Sequence, residues 1–403
     1  MPTEIELLRS LDDEPRTPST VDVRRAVADG RRRRARRAVG YTGAAAVTVL
    51  AVAGASVVAA GLVRDTAPRA GAIAGPPTAT TPAAAPPASC ALERLPAPDG
   101  APMALVTGAD PTGRYLVGRS YPRPGQYQAV VWHGGTATKV LLPGDLEESL
   151  TDVNSAGTAV GWSYTGGEGD AGPVPYVYRD GTVSKLPGVA RGSAYAVNDA
   201  GAIAGADESG HALLWRSATA PPTRLPVPAG TSEARASDID EDGTVVGTLD
   251  YERAYVWLPD GTHRQLPMPA IDGEPAATAT VDSVRDGWAT GMATNGIGRK
   301  GDGAKGVKTA AVRWNVRTGE VRVLDGLEHV DATNAHGWQV GADGQGRAVL
   351  VAGDRTVVLP DLADRAPDGL STIASTLSDD GRTIGGQSDD ASGTIQAVVW
   401  RCR

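Results

Sequence analysis

Seven copies of one short phrase divide most of this chain into lengths that suit a ring of small sheets. The phrase is a four-residue turn ending in glycine, then a β-branched run that reaches a second glycine. Its turns run from Asp110 to Gly113, Asn154 to Gly157, Asn198 to Gly201, Asp240 to Gly243, Asn334 to Gly337 and Ser378 to Gly381, with Gly287 standing alone in the fifth copy. The turn glycines lie 44, 44, 42, 44, 50 and 44 residues apart. The second glycines are read as Gly118, Gly161, Gly205, Gly247, Gly291, Gly341 and Gly385. Further along each copy an aromatic residue ends another strand: Trp132, Tyr178, Trp215, Trp257, Trp314 and Trp400, with Val351 departing. A strand-rich repeat in the forties predicts a β-propeller with one blade per copy.

The fourth copy shows how a blade is built. Residues 236–239 read as an inner strand, Asp240-Glu-Asp-Gly243 turns the chain, and 244–248 runs back. Residues 254–258 form the third strand, a Pro-Asp-Gly-Thr turn follows, and 263–266 is the outer strand. Leu-Pro or Leu-Asp closes the outer strands at Leu142, Leu186, Leu225, Leu266, Leu324 and Leu359, where proline's missing donor does little harm. The last copy stops at Trp400-Arg-Cys-Arg403, before any outer strand, while Cys90-Ala-Leu-Glu-Arg-Leu-Pro96 carries the outer-strand phrase ahead of the first. The N-terminal piece is therefore expected to complete the seventh blade. Aligning Trp400 with Trp257 and Leu95 with Leu266 sets Cys402 and Cys90 on either side of a missing hairpin tip. Their Cα atoms should lie roughly 5–7 Å apart, within disulfide reach.

Ahead of the propeller, residues 41–63 carry no charge and are long enough to cross a bilayer as one helix. The arginines from Arg24 to Arg37 precede them, which places residues 1–40 in the cytoplasm and the C-terminal side outside. Residues 64–89 are rich in Ala, Pro and Thr and read as a semi-extended linker, with 90–403 the folded domain. The expectation is thus an all-β, seven-bladed propeller closed by an N-terminal outer strand, behind a single transmembrane helix in the cell membrane. Beyond residue 40 the chain carries 29 basic against 40 acidic residues, an acidic exterior that argues against nucleic acid. The absence of Phe and the preference for Arg over Lys read as genome bias, of a high-GC and actinobacterial kind, without chemical meaning.

The phrase Ala194-Tyr-Ala-Val-Asn-Asp-Ala-Gly-Ala-Ile-Ala-Gly205, followed by His211-Ala-Leu-Leu-Trp215, resembles the HAF-type probable extracellular repeat. That resemblance spans residues 90–403 and implies an extracellular β-propeller; it supplies no catalytic residues. The first 63 residues are similar to the Arg-rich leaders of actinobacterial membrane proteins, some of them anti-sigma factors, although the zinc motif of many such regulators is absent.

Few side chains stand out as chemical. Asp238-x-Asp240-x-Asp242-Gly243 matches the core of a calcium loop, but Leu249 stands where an EF-hand needs Glu, and turn chemistry accounts for the aspartates without a metal. His133, His211, His263, His329 and His336 fall in different repeats without ligand spacing. No cofactor is expected. First-to-second and third-to-fourth strand turns are read as uniformly tight, whereas the loops on the opposite face vary, the long ones being 164–175, 270–280, 293–309 and 361–371. Arg299, Lys300, Lys305 and Lys308 make 293–309 a candidate for an anionic contact. The reading is a non-catalytic, single-pass binding or scaffolding protein for an extracellular protein or glycan. The alternatives are a transmembrane sensor whose residues 1–37 hold a cytoplasmic partner, and an envelope glycan hydrolase, for which no carboxylate pair is recognisable.

Overall fold

Each repeat becomes a four-stranded antiparallel sheet, and seven such sheets follow one another along the chain. The computed structural model describes residues 85–123, 125–144, 147–165, 172–296, 307–363 and 372–403. Residues 1–40, the uncharged 41–63 run and residues 64–84, with the topology expected of them, lie outside them. Among the described residues no helix is long and apolar enough to cross a membrane.

The innermost strands are Met103–Ala109, Glu148–Val153, Gly192–Val197, Ala234–Ile239, Thr278–Arg285, His329–Thr333 and Thr372–Leu377, which define blades 1 to 7. Blade 7 takes its outermost strand, Cys90–Arg94, from the other end of the domain, paired antiparallel with Ile395–Cys402. Leu92 faces Trp400 there as His263 faces Trp257 in blade 4. Cys90 and Cys402 are bonded, with Cα atoms 4.0 Å apart. This is closer than the alignment implies, because the two residues stand directly opposite in the ladder.

The second glycine of the repeat has a steric cause. Every inner strand carries a bulge, so that the carbonyl just before the paired residue crowds the neighbouring strand. A Cβ on Gly118, Gly161, Gly205, Gly247, Gly291 or Gly341 would sit 1.9–2.2 Å from that oxygen. In blade 7 the residue in this position is Gly386, 2.0 Å from the carbonyl of Ile373, and not Gly385 as the spacing had indicated. Gly247→Ala should therefore cost about 2–3 kcal/mol, from strain at a packed bulge. Gly344→Ala, whose Cβ meets nothing within 4 Å, is the control and should be close to neutral in the same urea titration.

The cores lie between neighbouring blades, built from Val, Ala and Leu of facing strands. Trp132, Trp215, Trp314 and Trp400 are at most 2% exposed. Their repeat with Leu-Pro is a single device. Each indole N–H donates to the carbonyl of the proline that ends the preceding blade: Trp132 to Pro96, Trp215 to Pro187, Trp257 to Pro226, Trp314 to Pro267 and Trp400 to Pro360, at 2.6–2.9 Å. A buried indole keeps its one donor satisfied this way, and adjacent blades are pinned together.

Candidate functional site: an axial channel bridged at one end

The recurring Asn/Asp of the turns is explained by the ring it builds. Asn154 Oδ1 accepts from the N–H groups of Ala156 and Thr158 in its own turn, while its Nδ2 donates to the Asn198 carbonyl of the next blade, 3.0 Å away. Asn198 reaches Asp240 in the same manner, and Asn334 reaches Ser378. Asp240, which has no donor, instead accepts from the N–H groups of Asp286 and Gly287.

These bonds also account for the calcium-like triplet. Asp238 takes the Ile239 N–H on one oxygen and the Val284 N–H on the other, and Asp242 caps Thr244. The three carboxylates serve three separate backbone sites, and no group of three potential ligands converges on one point among the described residues. The histidines each have a local partner: His133 stacks on Tyr115, His211 meets Asp207, His263 meets the Tyr255 hydroxyl, His329 meets Asp331 and His336 lies against Trp338.

The inner strands surround an axial channel of about 270 Å³ whose wall takes residues from all seven blades. The bulge residue of each blade, including Thr107, Thr151, Tyr195, Ser237, Asp282 and Asp331, contributes to this wall. At the tight-turn end Arg285 spans the axis. Its guanidinium reaches Glu241 of blade 4 at 2.6 Å and Asp379 of blade 7 at 2.7 Å. Those two carboxylates raise the Arg285 pKa against the pull of burial. The fifth turn is two residues, Asp286-Gly287, which is why it lacks the four-residue phrase and why an arginine can stand at its shoulder.

The carboxylates along the wall are poorly solvated. Burial, and next the charge of Asp238 across the channel, push Asp152 up to about 8. Burial pushes Asp238 up to about 7, against the pull of its Val284 and Ile239 N–H donors. Asp282 shows open surface to the channel, yet the wall surrounds it, and this confinement raises its pKa as well. At the loop end Arg235 lies over the ring of Tyr195, with its guanidinium carbon 3.9 Å from the centroid.

Arg299, Lys300 and Lys305 lie outside the described residues. Lys308 is placed, and its ammonium pairs with Asp272 at 2.5 Å. The tight-turn face is less uniform than expected, because in blade 3 residues 216–222 separate Ala212–Trp215 from Thr223–Arg224. The 270–280 region is a small hairpin, Ala270–Ile271 against Glu274–Pro275.

No protein-family model matches the chain, and no curated protein matches it. Solved structures do resemble it. YCF48 bound to a D1 peptide is 14% identical, with 78% of this chain and 96% of that one covered at a TM-score of 0.45. An oligogalacturonate lyase in complex with manganese is 12% identical, covering 78% and 97% at 0.45. An oligogalacturonate lyase from Vibrio parahaemolyticus is 11% identical, covering 79% and 98% at 0.49. With TM-scores below 0.5, the architecture rests on this chain's own strand order and not on these likenesses.

Proposed function

We propose that this is a membrane-tethered, extracytoplasmic binding protein that presents the loop face of its propeller, with the channel mouth at its centre, to a ligand. The observation that carries this reading is the asymmetry of the channel. Arg285, Glu241 and Asp379 bridge it at the tight-turn end, whereas the other end is framed by the loops that vary most between repeats. Variable loops on a rigid scaffold are where recognition is placed. Both oxygens of Asp238 and one of Asp152 are committed to backbone N–H groups, which fits a structural place in the channel wall. The tether follows from the uncharged 41–63 run behind its arginines.

Protease added to intact spheroplasts should release a propeller fragment and leave the first 40 residues protected. Crosslinking of the full-length chain in native membranes should then recover an external partner. A propeller protected from the protease would overturn the topology, and crosslinks confined to residues 1–37 would favour a signalling role instead.

A further inference from the structure

The loop face of blade 4 carries a backbone irregularity that burial does not explain. In four places an aspartate at positive φ is followed by a glycine also at positive φ: Asp99-Gly100, Asp180-Gly181, Asp272-Gly273 and Asp286-Gly287. In the tight connection after blade 4's second strand the same pair of conformations falls on Asp250 (φ 54°) and Tyr251 (φ 60°). A tyrosine thus occupies the place that glycine takes in every other such pair among the described residues. Left-handed backbone costs a residue with a Cβ on the order of 1 kcal/mol or more. No burial offsets that cost, since Tyr251 is 69% exposed.

The turn is nevertheless firmly built. The Asp250 carboxylate accepts from the Ser232 N–H and hydroxyl and from the Glu233 N–H at 2.6–3.0 Å, and it pairs with Arg253. The Tyr251 hydroxyl donates to Glu233, which anchors the ring while the residue stays largely exposed. Tyr195 and Arg235 are close enough for their charges to act on the Tyr251 hydroxyl, and Glu233 and Tyr195 line one shallow pocket at this end of blades 3 and 4. Tyr251 is thus bonded to Glu233, which shares a pocket with Tyr195, and the Tyr195 ring carries Arg235 of the channel wall.

We infer that Tyr251, with Tyr195, Arg235 and Glu233, forms a carbohydrate-binding platform on the loop face of blades 3 and 4. This rests on the binding reading above and names its ligand class. The Tyr251 hydroxyl is already engaged, so what the residue offers is a ring face, and the C–H face of a pyranose stacks on such a ring. The groups beside it, a guanidinium and a carboxylate, are the two side chains that engage neighbouring hydroxyls in pairs. Thr107, Thr151, Ser237 and Asp282 show polar side chains on the wall behind them, beside buried Val153, Ile239 and Val284. An exposed, strained aromatic at a turn position that glycine fills elsewhere in the chain fits a residue that serves contact with a ligand.

The test uses the full-length protein in detergent micelles and a panel of neutral, amino and uronic oligosaccharides of two to six rings. Wild type should bind at least one panel member, and Tyr251→Gly should weaken that binding at least tenfold. Tyr251→Gly should also melt about 2–4 °C higher than wild type, because it removes the strained Cβ. Arg235→Ala should weaken binding without that gain. A lower melting temperature for Tyr251→Gly would make the tyrosine a structural residue and overturn the inference. So would a wild type that binds no panel member, or a Tyr251→Gly variant that binds as wild type does. If membrane crosslinking still finds an external partner in those cases, the binding reading survives and only its ligand class falls; without a partner, both fall.

Discussion

Replacing Cys402 by serine is expected to lower the thermal midpoint by about 5–15 °C under oxidising conditions, with Cys90→Ser doing the same. The bond joins residues 312 apart, so it restrains almost the whole unfolded domain. Loop-closure entropy for so long a loop is on the order of 5 kcal/mol. Removing the strand Cys90–Arg94 should do more harm than removing the sulfur. It would strip the ladder partners of Val398, Trp400 and Cys402 and leave a long apolar strand as the blade's edge, open to association. The measurement is differential scanning calorimetry of wild type, the two serine variants and the strand deletion. Equal midpoints for wild type and Cys402→Ser would show that the ladder alone holds the seam.

The second large effect is on pH. Asp152 and Asp238 hold protons in the folded chain up to about pH 8 and about pH 7, whereas an unfolded aspartate releases its proton near pH 4. Between about pH 4 and pH 8 the folded state therefore binds more protons than the unfolded one, and stability falls as pH rises through that window. Glu148, pushed up to about 7 by burial, acts in the same direction. Asp250 acts oppositely and lower down. Burial works against its charge, but hydrogen bonds from Ser232 and the Arg253 contact outweigh it and hold its pKa at about 2, so its contribution is lost only as pH falls below about 4. Urea unfolding should show a maximum near pH 4–5 and a loss on the order of a few kcal/mol by pH 8. The double variant Asp152→Asn, Asp238→Asn keeps an acceptor for Val197 and Val284 and should be flatter. A wild type whose stability rises from pH 5 to pH 8 would contradict this account.

What could be read in the sequence was whatever recurs. The turn phrase, the crowded glycine and the Trp with its Leu-Pro partner each answer one local geometric demand made once per blade, so spacing exposes them. Gly385 and Gly386 are adjacent, and a period that varies by residues cannot choose between them; only the register against Ala374 does. The channel was hidden for the opposite reason. Its wall takes roughly one residue from each bulge, and Asp152, Asp238 and Asp282 come from different blades, so no local motif joins them, and the triplet that contains Asp238 points to a metal and not to the channel. Arg285 left a trace only as the missing phrase of the fifth copy. Tyr251 left none, because the sequence mark of a left-handed pair is a glycine, and here the glycine is what is absent.

The indole-to-proline contacts carry a mechanical consequence for the ring. They cross the junctions between blades 7 and 1, 2 and 3, 3 and 4, 4 and 5, and 6 and 7. At the other two junctions Tyr178 and Val351 stand in the tryptophan position, and in blade 5 the proline is replaced too, by Asp325. The indole contacts thus fall into two runs, blades 2 to 5 and blades 6, 7 and 1, and the junctions between the runs are held by other bonds, Ala129 N–H to Glu148 and Arg313 to the Gly337 carbonyl. The chain's own seam, in blade 7, falls inside the second run, so the place where the two ends of the domain meet is flanked on both sides by indole contacts.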